Sequence, residues 1–320
     1  MIVKERTIPL RIQQIKALLR RLPKDHRKRP QIEEDLAKRE AGFRAEQSLD
    51  YHLKFLNHKE YYILHDLRLH HSVPFQIDTL ILSPNFFLII EVKNISGTLI
   101  FEKYSKQLIR LIEGNEEGFP NPLTQVQRQQ QRLKEWMDHQ KLLPVPIEYL
   151  VVVSKSSTIL KTSNGNYHIY NRVLHADHLE EKVKELEAIY DKPILEKKQI
   201  QEITDLLMKN NFPITDNILQ QYGIDPSELI KGVQCPNCNS YPMVRKFSTW
   251  YCSLCKFTSK KAHIQALNDY FLLINSSISN RAFREFLLIS SRSIASKLLA
   301  SMNLPFSGTN KGRIYHRPEM

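Results

Sequence analysis

One apolar run, Phe86-Phe87-Leu88-Ile89-Ile90, ends in Glu91-Val92-Lys93. It reads as a strand, and its charged end is the strongest constraint in the chain. Buried charge is tolerated only when it is paired or bound to a metal. Side chains alternate along a strand, so Glu91 and Lys93 share one face and Val92 takes the other. Ser83-Pro84-Asn85 reads as a turn. That turn folds Gln76–Leu82 back onto Phe86–Lys93 and brings Asp78, of Gln76-Ile77-Asp78, beside Glu91.

Two carboxylates suit Mg²⁺ (or Mn²⁺), a hard cation that takes oxygen ligands and keeps several waters. Such an ion activates water and stabilises the charge that develops on phosphorus. Lys93 would hold that water or neutralise the same charge. The competing reading is a plain salt bridge at a sheet end. The Asp-bearing hairpin in front of Glu91 favours the metal.

The ordered series Ala41-Gly42-Phe43-Arg44-Ala45-Glu46, Gln76-Ile77-Asp78, Glu91-Val92-Lys93-Asn94 with Gly97, and Asn121-Pro122-Leu123-Thr124-Gln125 resembles the NERD domain. That is a nuclease-related domain of the PD-(D/E)xK superfamily. The resemblance implies an α/β fold over residues 37–155, a restriction-endonuclease-like mixed sheet flanked by helices. It implies Asp78, Glu91 and Lys93 as the catalytic set, with Asp78 and Glu91 holding Mg²⁺. Glu46 and Gln125 match the family's accessory polar positions. Read alone, Glu46 lies in a helix-like run, Ile32–Leu56, and is equally a solvated helix carboxylate. Gln125 opens the run Gln125–His139, with Pro122 near its start as helix entries often have. The polar stretch Gln127–Arg132 reads as a wet helix face, although the N-terminal end of this helix could also meet phosphate.

The chain has 320 residues, room for two or three domains, and its 42% hydrophobic content allows a proper core. No segment approaches the roughly eighteen uncharged apolar residues of a membrane span. The start, Met1-Ile2-Val3-Lys4-Glu5-Arg6, has no apolar h-region. A cytoplasmic protein with no membrane partner is expected. The net charge of +12 suggests an anionic partner, most often nucleic acid. The excess is uneven. Residues 1–30 carry ten Lys/Arg against Glu5 and Asp25, and residues 260–320 carry nine against Asp269, Glu285 and Glu319. No phosphate-binding Gly-rich loop or nucleophile elbow is present, so no small-molecule cofactor is expected.

All four cysteines fall in one pattern, Cys235-Pro236-Asn237-Cys238, thirteen residues, then Cys252-Ser253-Leu254-Cys255. Two Cys-x-x-Cys knuckles at this separation read as a tetrahedral, structural Zn²⁺ site in a small ribbon. Two disulfides are the competing reading, disfavoured in the cytosol. Arg245, Lys246, Trp250, Tyr251, Lys256 and Lys260 decorate the ribbon. They either grip nucleic acid by charge and stacking or pack onto a neighbouring domain.

Three helix-like stretches follow, Ile264–Ile274, Ser279–Leu287 and Ser290–Met302, then a basic turn and strand, Gly308–Arg317. The order resembles a winged helix-turn-helix. Arg292 and Lys297 would face a DNA groove or phosphates, and Lys311, Arg313 and Arg317 would grip backbone. A small helical domain with a solvated basic face is the alternative. Five segments result: a basic helical N-terminal extension (1–36), the nuclease-like domain (37–155), a mixed strand and helix connecting region (156–232) with a turn at Asn164-Gly165-Asn166, the zinc ribbon (233–260) and a DNA-binding tail (261–320). The expected function is Mg²⁺-dependent hydrolysis of DNA phosphodiesters in DNA processing or repair. The rivals are a non-catalytic DNA-binding or scaffold protein that keeps a nuclease fold, and a nuclease directed at RNA.

Overall fold

The computed structural model of the protein describes residues 1–56, 61–163, 165–212 and 217–318. The chain opens with strand β1 (Ile2–Lys4), helix α1 (Leu10–Arg21) and the long helix α2 (Arg29–Leu53). It divides into two compact units, residues 1–8 with 39–213, and residues 9–38 with 214–320. The division falls inside α2. The basic N-terminal segment is therefore shared between the units, β1 going to the first and α1 to the second.

In the first unit, β2 (Tyr62–His70), β3 (Pro74–Leu82) and β4 (Phe87–Lys93) form an antiparallel meander. There follow β5 (Thr98–Phe101), β6 (Gln107–Ile112), β7 (Asn115–Pro120), α3 (Pro122–His139), β8 (Ile147–Val153), β9 (Ile159–Thr162), β10 (Val173–His175), α4 (Leu179–Ile189) and α5 (Lys197–Asn210). The main sheet has the order β1-β2-β3-β4-β8-β10. Its β1–β2, β4–β8 and β8–β10 pairs are parallel, so it is mixed. A smaller sheet has the order β7-β6-β5-β9. The expected mixed α/β architecture is the one that forms. The expected turn at Asn164 lies outside the described residues.

The strand residues dictate which helix covers which face. Leu88, Ile90 and Val92 of β4 pack with Leu49 and Leu53 of α2 and Val183 and Leu186 of α4. Phe87 and Ile89 pack with Val126, Leu133 and Trp136 of α3 and Ile200 and Ile203 of α5. A sheet buried on both faces needs such continuous apolar strands. The alternation carries Glu91 and Lys93 to the α3 side. Helix α3 starts where Asn121 accepts the Leu123 N–H and Pro122 enters the first turn, a position where the missing proline N–H costs nothing.

The second unit contains α6 (Ile218–Tyr222), then β11 (Val244–Lys246), β12 (Thr249–Tyr251), β13 (Thr258–Ser259), α7 (Ala262–Leu273), β14 (Ser277–Ser279), α8 (Asn280–Leu287), α9 (Arg292–Ser301), β15 (Phe306–Ser307) and β16 (Ile314–His316). Its antiparallel sheets have the orders β11-β12-β13 and β14-β16-β15. Val233, Met243 and Trp250 of the cysteine-bearing ribbon share one core with Phe271, Phe283, Phe286, Leu299 and Tyr315. Three strands this short cannot bury a core alone. Ribbon and tail, separate in sequence pattern, are one body.

Helix α1 is locked to α7 by a buried charge pair. Arg21 donates from Nε to Asp269 Oδ2 at 2.8 Å, and from Nη1 to the carbonyls of Ile230 and Gly232 at 3.0 and 2.7 Å. Its guanidinium lies over the rings of Tyr241 and Phe286. Arg20 donates to Asp269 Oδ1 at 2.7 Å. Such a pair repays its desolvation only with bonds of this number and geometry. Asp269→Ala strands Arg21 as an uncompensated buried cation, and should destabilise the second unit by about 3–5 kcal/mol. Urea denaturation tests this in a Trp136→Phe background, where Trp250 is left as the sole tryptophan and reports that unit.

Candidate active site and cysteine cluster

The β3–β4 hairpin is closed by the turn expected at Ser83-Pro84-Asn85. The Ser83 N–H and hydroxyl both donate to the Phe86 carbonyl, at 3.1 and 2.6 Å, and the hydroxyl accepts the Phe86 N–H at 3.0 Å. The register then runs Leu82 opposite Phe87 to Thr79 opposite Ile90. One step further sets Asp78 against Glu91. There the ladder stops. The Val92 N–H, which would continue it, donates to Asp78 Oδ2 at 3.1 Å. Asp78 thus stands where β3 and β4 part.

A change of phase in β2 and β3 prepares this point. Leu64, Leu67 and Leu69 of β2 all join the α3-side core, as do Phe75, Ile77, Leu80 and Leu82 of β3. Regular strands alternate, so both strands switch faces between the pairs His65–Thr79 and Leu67–Ile77. The residues at the switch are Asp66, with a left-handed φ of 48°, and Asp78.

Glu91 is 3% exposed. Three donors satisfy it: Lys93 Nζ to Oε1 at 2.7 Å, Gln125 Nε2 to Oε1 at 2.7 Å, and Gln129 Nε2 to Oε2 at 2.9 Å. Lys93 also donates to Gln125 Oε1 at 2.9 Å. Gln125 is exposed, so the site opens to solvent there. Burial lifts the Asp78 carboxyl well above the usual range, and repulsion from Glu91 and Glu46 adds to it, against the Val92 N–H and Lys93. Burial likewise pushes Glu46 up to about 7; Arg6 opposes this, and Asp66 and Glu91 reinforce it. The structure thus gathers Asp78, Glu91, Lys93 and Gln125 in one place, with Glu46 electrically coupled to them. Hard oxygen donors that repel one another suit a divalent cation. Among the described residues, no three carboxylates bring oxygens within 4.8 Å of one another.

Two residues of this site carry no motif. Arg6 follows β1, with its side chain 3% exposed. It donates to Glu46 Oε2 at 2.7 Å, Asp50 Oδ1 at 3.2 Å, His65 Nδ1 at 2.9 Å and Thr79 Oγ1 at 3.1 Å. Guanidinium has no acceptor, so His65 Nδ1 accepts and the ring is neutral. Burial, then Arg6 and Lys4, pull the His65 pKa down to about 3. Gln129 falls in the stretch expected as a wet face, but it is buried. A signal for this exists in the helix period: Gln129 lies on the stripe Val126, Gln129, Leu133, Trp136.

The cysteines build a second constellation. One Sγ from each of Cys235, Cys238, Cys252 and Cys255 lies within 4.8 Å of the others, and all four are free thiols. The two knuckles are built alike. Asn239 N–H reaches the Cys235 carbonyl at 2.9 Å, and Lys256 N–H reaches the Cys252 carbonyl at 3.0 Å. Both donors are left-handed, at φ 59° and 66°. Hydrogen bonds from the Cys255 backbone and the Ser240 hydroxyl bring the Cys252 thiol down to about 6, which favours the thiolate that metals bind. The cluster fits a structural zinc ion.

The expected nucleic-acid contacts fare unequally. Arg292 and Lys297 of α9 are exposed. Arg313 is half-buried, with its guanidinium 4.3 Å from the centroid of Phe306. Arg317 is also half-buried, and burial lowers its pKa. Lys311 has its side chain outside the described residues. Of the ribbon residues, Trp250 is not a surface stacker: it is buried and donates to His263 Nδ1 at 3.1 Å.

No helix among the described residues is long and apolar enough to cross a membrane. No curated protein matches the chain. Among solved structures, a crystal structure of protein VC1899 from Vibrio cholerae is similar at 11% identity, over 58% of this chain and 58% of that one, with a TM-score of 0.25. That likeness carries no argument. Residues 41–154 match the family model of the nuclease-related domain, NERD. The matched segment holds Glu46, Asp78, Glu91, Lys93 and Gln125, and ends before the cysteines. The chain carries a nuclease-related domain over residues 41–154.

Proposed function

We propose that the first unit hydrolyses DNA phosphodiester bonds with a bound divalent cation, Mg²⁺ or Mn²⁺. One observation carries the reading. Asp78 and Glu91 meet at the parting of two strands, where burial and repulsion from Glu91 and Glu46 weigh against an ionised Asp78 more than the Val92 N–H and Lys93 favour it, a deficit that a bound cation would remove. A purely structural sheet end gains nothing from that arrangement. Asp78 and Glu91 would hold the cation, which when bound supplies a polarised water and neutralises charge at phosphorus. Lys93, fixed between Glu91 and Gln125, orients that water and stabilises the developing negative charge. Gln125 and Gln129 hold the Glu91 carboxylate in place. Glu46 adds to the negative field that attracts the cation.

In the second unit, four thiolates would hold one Zn²⁺ as a structural ion. The order helix, strand, helix, helix, strand, strand, from α7 to β16, supports a winged helix-turn-helix reading of the tail. Helix α9 would then be its recognition helix, with Arg292 and Lys297 on the exposed side. Arg313 and Arg317 would contact backbone phosphates from the wing.

Purified protein with Mg²⁺ or Mn²⁺, incubated with single-stranded, duplex and branched DNA beside RNA, tests the activity. Asp78→Asn, Glu91→Ala and Lys93→Ala should each lower cleavage on the order of 10²-fold or more, with unchanged circular dichroism. Normal cutting by all three variants would remove the site assignment.

Glu46 provides a pH test without any added divalent cation. Its folded pKa, about 7, lies above the ordinary value of about 4.3. The folded state therefore binds more protons than the unfolded one between those values. The Glu46 contribution to stability falls as pH rises through that window. His65, with its pKa pulled down to about 3, contributes the opposite slope below about 6.5, so the contrast between proteins is the readout: between pH 4.5 and 7 the stability of Glu46→Gln should fall less, or rise more, than that of the wild type.

Metal analysis should find one zinc per chain, absent from Cys252→Ser. Replacing Arg292, Lys297 and Arg313 by alanine should flatten the salt dependence of duplex binding, by about 0.9 in log–log slope for each phosphate no longer neutralised.

A further inference from the structure

The ribbon hairpin ends in an unusual turn. Between β11 and β12 stand Phe247 and Ser248, both left-handed, at φ 45° and 66°. Hairpins choose Asn-Gly or Asp-Gly for this conformation because a side chain at positive φ is strained. Here the first of the two positions carries a phenylalanine that is 101% exposed. So exposed a ring gains no burial in return for its strain. Strain of this kind is most often retained at sites of function.

The strand register shows what stands behind it. Val244 pairs with Tyr251, Lys246 with Thr249, and Tyr251 with Thr258. Directly paired residues share a face, so Val244, Lys246, Tyr251 and Thr258 lie on one side of the ribbon. Trp250, paired with Arg245, points the other way into the core. On the solvent side, the Lys246 ammonium sits 4.7 Å from the centroid of the Tyr251 ring, and Lys256 sits 6.0 Å from it. This face offers aromatic rings with cations beside them. The charge around it is of one sign. Between Glu228 and Asp269 there is no Asp or Glu, while Lys231, Arg245, Lys246, Lys256, Lys260 and Lys261 fall in that interval. These cations outweigh the formal negative charge of four thiolates around one zinc.

We propose that this ribbon face is a binding platform for single-stranded nucleic acid. Phe247 stacks on an unpaired base, Tyr251 supports a neighbouring one, and Lys246 and Lys256 contact the intervening phosphates. Stacking needs a base freed from its partner, and a ring at a hairpin tip finds no such surface on an intact duplex. The site is distinct from the carboxylate cluster and does not depend on its chemistry.

The test uses the full-length protein with zinc retained and no other divalent cation. Binding is read by fluorescence anisotropy with short labelled oligonucleotides: single-stranded DNA, single-stranded RNA and duplex DNA. Phe247→Gly should weaken single-strand binding about ten-fold or more and leave duplex binding nearly unchanged. The same substitution relieves a left-handed phenylalanine, so the melting temperature should stay level or rise. Phe247→Trp should restore binding, and Lys246→Ala should reduce both affinity and its salt dependence. The DNA and RNA arms show which strand the platform prefers. Unchanged single-strand affinity in Phe247→Gly would overturn the proposal and leave the tip to a protein partner. So would a loss of affinity that only follows a loss of stability.

Discussion

A carboxylate buried under α3 constrains most of the first unit. Glu91 cannot lie in an apolar sheet unless its oxygens are met, and three side chains meet them. Each requirement reaches outward. Gln125 and Gln129 must be four residues apart on one helix face, which needs α3 to start at Asn121. Lys93 must share a face with Glu91, which needs β4 to stay regular to its end. Asp78 must stand opposite, which needs the Ser83-Pro84-Asn85 turn to keep register; a slip of one residue would send Glu91 to the α2 side.

Arg6 answers a second electrostatic problem. Glu46, Asp66, Asp78 and Glu91 crowd negative charge into one end of the sheet, as the influence of Asp66 and Glu91 on Glu46, and of Glu46 and Glu91 on Asp78, shows. Arg6 ties Glu46 and Asp50 together and takes His65 and Thr79 as well. It divides the acids into two groups. One, Glu46 with Asp50, is held by Arg6. The other is Asp78 with Glu91, which has Lys93 as its cationic partner beside the Val92 N–H, Gln125 and Gln129, and it is the group proposed to hold an outside cation. Arg6 lies outside the segment that matches the nuclease-related domain, so this division belongs to the stretch that follows the N-terminal strand β1.

What is legible in the sequence is local. The hairpin, the alternation on β4 and the helix entry at Pro122 each follow from neighbouring residues. So do the twin cysteine knuckles, whose left-handed Asn239 and Lys256 add a detail that spacing does not show. What is not legible depends on distant partners. Arg6 meets Thr79 across 73 positions, and Arg21 meets Asp269 across 248; neither has a motif, because an arginine in a basic segment resembles any other. The phase switch at Asp66 and Asp78 is hidden because a strand's alternation gives no local sign of where it will break. The sharing of one core by ribbon and tail is hidden because each has its own pattern. Trp250 is ambiguous for a simpler reason: a tryptophan flanked by polar residues suits a surface or a core, and only its strand partner decides.

The common core of the second unit has a consequence for binding. Ribbon and α9 are held by the same buried residues, Trp250 beside Phe271, Phe283 and Leu299. A weak contact at one then raises the effective concentration of the other, and two modest affinities combine without new contacts. Rigidity makes this efficient, because no linker entropy has to be overcome. It also predicts selectivity by shape. On the two proposals, a duplex would grip α9 and the wing, and a free strand would grip Phe247 and Tyr251. The tightest ligand would then be a junction that presents both, and neither element would need to read a base sequence to find it.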